Sequence, residues 1–242
     1  MNVWIYDSEE QLNEAGAGIL SGLIRTNPRA VLGLATGGTP VGIYRKLASD
    51  YRRGMLSFAG VTTFNLDEYA GLPADHVQSY RTYMREHLFR HVDLPERQAH
   101  IPDGNAGDAE EECRRYDRLI EQAGQLDLQL LGIGHNGHIG FNEPAPGLVQ
   151  GTHVVDLAEE TRRANARFFD SFDQVPGQAL TMGVGTILRA KSILLVAKGA
   201  DKADIVQRAL HGPITTECPA SLLQTHPRLI VLLDRAAAGK PA

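Results

Sequence analysis

Two rhythms of apolar and polar residues take turns along this chain. Short apolar runs at 3–6, 30–34, 61–66, 126–133, 192–197 and 229–233 have the length of buried strands, and 154–157 is a weaker one. Between them lie stretches with helical spacing. In the first, Leu12, Ala15, Ile19, Leu20, Leu23 and Ile24 fall on one face; Ser8-Glu9-Glu10-Gln11 has the form of a capping box before it, and Asn27-Pro28 supplies a stop. Further helices are predicted over 41–52, 79–91, 109–123 and 159–169, with a glycine-interrupted one over 180–190. Residues 95–108 are rich in turn formers and read as loop. Strands alternating with helices at this spacing predict an α/β fold: a mostly parallel central sheet with right-handed crossovers and helices on both faces. No internal repeat, low-complexity tract or linker interrupts the pattern, so residues 1–242 are expected to form one domain.

Composition narrows the class. Of 242 residues 43% are hydrophobic, enough for a buried core rather than a disordered chain. A net charge of −5 argues against broad nucleic-acid binding but leaves room for a local cationic pocket. Two cysteines, Cys113 and Cys218, are too few for a disulfide framework or a zinc cluster. No signal-like N-terminus or run of eighteen apolar residues is present, so the expected setting is the reducing cytoplasm, away from membranes.

Candidate chemistry gathers where strand runs end. The most informative stretch, 130–144, reads LLGIGHNGHIGFNEP: an apolar run that breaks into glycines, two histidines, one carboxylate and a proline. In open parallel sheets ligands bind at the carboxyl ends of the strands, so the active site is expected here. Asn136, His138 and Glu143 share a glycine-rich loop that can fold the imidazole onto the carboxylate, a pair able to shuttle protons near neutral pH. His135 and His138 could instead share a metal ion with Glu143, although no HExxH or comparable ligand set supports that. A second site, Thr36-Gly37-Gly38-Thr39, lies between a strand and a helix. It is either an amide nest for a small phosphorylated metabolite or simply a tight turn; it is neither a Walker loop nor a dinucleotide fingerprint. Third, Asp67 in FNLDEY ends a strand run, where an acid can cap the next element or act as a base that takes a proton from carbon.

GIGHNGHIGFNEP, with LATGGTP, FNLDEY, SYRTYM, TRRANARFF and PASLLQTHP, resembles the glucosamine-6-phosphate deaminase family. The resemblance implies a Rossmann-like α/β sandwich and conversion of glucosamine 6-phosphate and water to fructose 6-phosphate and ammonia, with no cofactor. It further implies Asp67 as the base that moves a proton between C2 and C1, His138 as the group that opens the sugar ring, and Glu143 as its charge partner. Thr36, Gly37, Gly38, Thr39, Gly137, Arg167 and Lys202 resemble the set that holds the phosphate and substrate. Some family members carry aspartate at position 136. An amide does not ionise, so Asn136 is expected to orient His138 or a substrate hydroxyl. The residues after the loop, 146–155, and the short C-terminus depart from the allosteric members, so hyperbolic, unactivated kinetics and a monomer or small oligomer are expected. Two rivals share the architecture: 6-phosphogluconolactonases, whose loop lacks FNEP, and sugar-phosphate sensors, which carry a DNA-binding segment.

Overall fold

The computed structural model describes residues 1–239, the side chains at 160, 164 and 167 excepted. From the N-terminus, β1 (Asn2–Tyr6) leads into α1 (Glu9–Thr26), then β2 (Val31–Leu34), α2 (Val41–Arg52) and β3 (Thr62–Asn65). Ser8 caps α1 by accepting from the Gln11 N–H, while the Gln11 side chain returns its bond to the Asp7 N–H rather than to Ser8 itself. A short strand, β4 (Asp67–Tyr69), follows, then α3 (Tyr80–His87), β5 (Ala99–His100), α4 (Ala109–Gln122) and β6 (Leu128–Leu131). The chain continues through β7 (His153–Asp156), α5 (Glu159–Asn165), β8 (Gln178–Thr181), α6 (Val184–Leu188), β9 (Ile193–Ala197), α7 (Ala203–His211) and β10 (Leu229–Asp234).

Seven strands form the central sheet in the order β1-β10-β9-β6-β2-β3-β5, every neighbouring pair parallel. Burial alternates across it. Leu194 and Val196 of β9 join Leu12, Leu20, Ile43, Tyr44 and Met84 of α1, α2 and α3 on one face. Ile193, Leu195 and Ala197 join Tyr116, Ile120, Ile187, Ile205 and Leu210 of α4, α6 and α7 on the other. A strand with both faces covered reads as a continuous apolar run, and each buried aliphatic side chain contributes about 1.5–3 kcal/mol, so ILLVA is committed to the interior.

Strand order reverses between β2 and β6: from β2 the sheet grows through β3 and β5, from β6 through β9, β10 and β1. A crevice opens at such a switch point, beyond the carboxyl ends of the two strands. Residues 35–39 leave β2 there, and 132–143 leave β6.

Three sequence expectations need correction. Residues 180–190 are not one helix, because 178–181 form strand β8 before α6 begins. β8 is the middle strand of a second sheet, β4-β8-β7, pairing antiparallel with both neighbours. The run that ends at Leu66 resumes as β4 in this second sheet. The turn-rich segment 95–108 contributes β5, an edge strand of two residues paired with Thr63 and Phe64. Each was hidden for one reason: strand identity in these short segments comes from partners far along the chain, not from local pattern.

Candidate active site

One cavity of about 280 Å³ opens at the switch point. Its wall carries Thr36, Gly37, Gly38, Thr39, Asp67, Asn136, His138 and Lys202, so residues read as three separate sites face a single space. Gly137 does not line it. That glycine has φ +93°, and a Cβ there would press on Cys218 Sγ, so the loop's packing itself requires a glycine. The Arg167 side chain lies outside the described residues.

The loop between β2 and α2 is pinned from behind. The Tyr44 hydroxyl donates to the Ala35 carbonyl (2.6 Å) and the Tyr83 hydroxyl to the Gly37 carbonyl (2.5 Å). Gly37 has φ +86°, which a side chain disfavours, so this stretch is both a glycine-dependent turn and part of the cavity wall. Holding the carbonyls fixes the backbone, as an amide nest for an anion requires. Lys202 sits just before α7, where burial lowers its ammonium pKa against the opposing pull of Asp201. Asp201 in turn meets His135 Nε2 at 2.7 Å. His135 is therefore turned away from the metal arrangement weighed above, and among the described residues no cluster of three or more His, Cys, Asp or Glu could hold an ion.

The loop after β6 folds back on itself. The Gly134 N–H donates to the His138 carbonyl (3.0 Å), and the His138 ring lies where any side chain at Gly134 would be. His138 Nδ1 stands 3.2 Å from both oxygens of Glu143. Asn136 Nδ2 donates to Glu143 Oε2 (2.5 Å), and its Oδ1 accepts from the His138 N–H (3.1 Å), so the amide braces both partners. Thr161 Oγ1, from α5, donates to Glu143 Oε1 (2.6 Å). Burial alone would raise the Glu143 pKa, but the bonds from His138, Thr161 and Asn136 outweigh it and hold it at about 2. With Nδ1 facing an ionised carboxylate, Nε2 is left to exchange a proton with a ligand.

Asp67 supplies the other titratable group. It is 6% exposed, and burial, then the neighbouring Glu68 charge, push its pKa up to about 8. Strand alternation turns Asp67 to the cavity and Glu68 to the opposite face, where its carboxylate accepts the N–H groups of Tyr80 and Arg81. The arrangement thus provides a poised carboxyl, an imidazole–carboxylate pair and an anion-holding end around one space. A small phosphorylated sugar undergoing proton transfers at carbon and oxygen suits such a site.

Sequence reading overlooked Thr161, Tyr80 and Asn165 on the cavity wall, and Tyr83 behind it. TRRANARFF and SYRTYM contain all four and were quoted only for resemblance.

No described helix is long and apolar enough to cross a membrane. Residues 7–231 match the family described as glucosamine-6-phosphate isomerases/6-phosphogluconolactonase. A glucosamine-6-phosphate deaminase of Bacillus velezensis is 54% identical over 239 residues, 99% of each chain. One from a Geobacillus species is 51% identical over 94% of this chain and 91% of its own. A solved monomeric glucosamine-6-phosphate deaminase superposes with a TM-score of 0.96 at 50% identity, all of both chains covered. The 6-phosphogluconolactonase of Trypanosoma brucei shares the fold alone, at TM-score 0.78 and 20% identity over 100% of this chain and 98% of its own. The chain belongs to the glucosamine-6-phosphate isomerase/6-phosphogluconolactonase family, on its glucosamine-6-phosphate deaminase side.

Proposed function

We propose that this protein converts glucosamine 6-phosphate and water to fructose 6-phosphate and ammonia, as a monomeric single-domain enzyme of the cytoplasm. The observation that carries the reading is Asp67 and His138 lining one cavity with the 36–39 loop and Lys202, with Glu143 bonded to the His138 ring behind that wall. The phosphate is held by the loop amides and Lys202, which leaves the sugar's first two carbons to the titratable groups. His138 moves a proton between the ring oxygen and the anomeric hydroxyl, and the pyranose opens to the aldehyde. Asp67, as carboxylate, removes the C2 proton and returns one to C1, while the amino group gives up a proton and the aldehyde oxygen gains one, giving the imine of the ketose. Water adds to C2, the C–N bond breaks, and ammonia leaves. Isomerisation and hydrolysis are redox-neutral overall, so acid–base groups are sufficient for every step.

The test is incubation with glucosamine 6-phosphate, following both products. Ammonia and fructose 6-phosphate should appear in equal amounts; a lactonase or a sensor would give neither, and that result would remove the proposal. The tyrosine behind the phosphate loop offers a second check. Tyr83→Phe removes one hydrogen bond, typically worth about 0.5–1.5 kcal/mol, so KM should rise about 3–10-fold with kcat little changed. A kcat loss at constant KM would contradict this use of the loop.

A further inference from the structure

We propose that Glu68 is a positioning residue for proton transfer at Asp67, its carboxylate tying β4 to the first turn of α3 so that Asp67 and Tyr80 are held on the same cavity wall. This rests on Asp67 being the base of the reaction proposed above.

The first amides of a helix have no acceptor within it. In α3 they are taken up from outside. Glu68 Oε1 accepts from the Tyr69 and Tyr80 N–H groups and Oε2 from the Arg81 N–H, each at 2.9 Å, while Ser79 Oγ takes the Thr82 N–H at 3.1 Å. One buried carboxylate therefore joins β4, three residues long, to an eight-residue helix. The helix needs no such device to start. Ser79 already caps it, and a second cap could be left to water, whereas placing a 6%-exposed carboxylate beside another buried carboxyl costs desolvation and like-charge repulsion. The arrangement makes sense where the anchoring and the charge are both used. Tyr80, the first residue after the cap, lines the cavity with its side chain bonded to Thr36 of the phosphate loop, and packs on Tyr69 at 4.8 Å between ring centres.

The charge has a second consequence. Around Asp67 stand Glu68 and Tyr69 on its own strand, Tyr80 from α3 and Tyr116 from α4, with His138 and Lys202 across the cavity. Among them Glu68 is the group whose charge opposes ionisation of Asp67. Neutralising it lowers the pH at which Asp67 becomes a base.

Glu68→Gln keeps the shape and two of the three accepted N–H groups but removes the charge; Glu68→Asp keeps the charge and shortens the reach. The acid limb of kcat/KM against pH should move down by about one unit in Glu68→Gln. In Glu68→Asp it should stay in place while kcat falls about tenfold. An unmoved limb in Glu68→Gln, with any loss of rate following a loss of melting temperature, would reduce Glu68 to a structural cap and overturn the assignment. Wild-type hydrogen exchange serves if neither variant folds. The Tyr80 and Arg81 amides should be as protected as the interior of α3, and rapid exchange there would equally overturn it. Wild-type protein that releases no ammonia would refute the reaction instead, a result separable from an active wild type with an unmoved variant limb.

Discussion

Asp67→Asn should lose turnover about a thousandfold and become more heat-stable. The first half follows from removing a general base, typically worth about 10²–10⁴ in rate. The second follows from the cost of keeping that base buried. Burial, then Glu68, raise the Asp67 pKa from 3.8 to about 8. Below 3.8 the carboxyl is protonated in both folded and unfolded chains and costs nothing. Between 3.8 and about 8 the unfolded chain releases its proton while the folded one keeps it, so the carboxyl withdraws stability as pH rises, and above 8 the loss is constant. A rise of about four pH units bounds that loss at roughly 6 kcal/mol, and water admitted to the site reduces it. Asparagine is nearly isosteric and stays neutral. Scanning calorimetry of both proteins should show equal melting temperatures near pH 3.5 and a gain for the variant at pH 8, at roughly 2–4 °C per kcal/mol for a chain of this length. A variant that stays active, or that is less stable at both pH values, would show that Asp67 is a structural residue. The same shift implies that wild-type kcat/KM climbs with pH up to about 8, as the base ionises.

Strands of the main sheet could be read in advance because burial on both faces leaves an unbroken apolar run, as in 193–197. The loop after β6 was legible for a different reason. His138 and Glu143 are five positions apart, and the glycines between strand and proline announce a fold-back, with Gly134 now seen as the space the imidazole occupies. What stayed hidden is the support. The loop is held by Phe141 N–H donating to Thr181 Oγ1 (3.0 Å) and by Asn142 Nδ2 donating to the Met182 carbonyl (2.9 Å). Both acceptors belong to the segment misread as helix, whose strand character depends on β4 and β7 rather than on its own sequence. Thr161 on Glu143 and Tyr83 on Gly37 are long-range pairs of the same kind: a hydroxyl that meets its partner only after the chain has folded leaves no periodic trace. Gly137 shows the converse case. Its place in a resembling motif suggested a ligand contact, whereas its packing against Cys218 supplies a sufficient reason for a glycine.

Replacing Glu143 by glutamine separates chemistry from binding at the other end of the cavity. In the proposed reaction the carboxylate, 3.2 Å from Nδ1, orients His138 and offsets the charge the ring takes on while it carries a proton; an amide does neither fully. Starting from the closed sugar, kcat should fall about 10²–10³-fold with KM changed no more than about threefold, because the phosphate end is untouched. Stability should move opposite to that of the Asp67 variant. The Glu143 pKa lies at about 2 rather than 4.5, so in the wild type it contributes stability that is fully present above pH 4.5 and lost as pH falls through 2. Its side chain is 14% exposed, and the depression corresponds to roughly 3 kcal/mol at neutral pH. Glu143→Gln should therefore melt several degrees below wild type at pH 7 and close to it near pH 2. Asp67 on the cavity wall and Glu143 beside His138 would then carry opposite signatures, one destabilised by its burial and one stabilised by its partners. Full turnover in the variant would mean that the imidazole opens the ring unaided, and a tenfold rise in KM with kcat intact would make Glu143 a substrate-binding group instead.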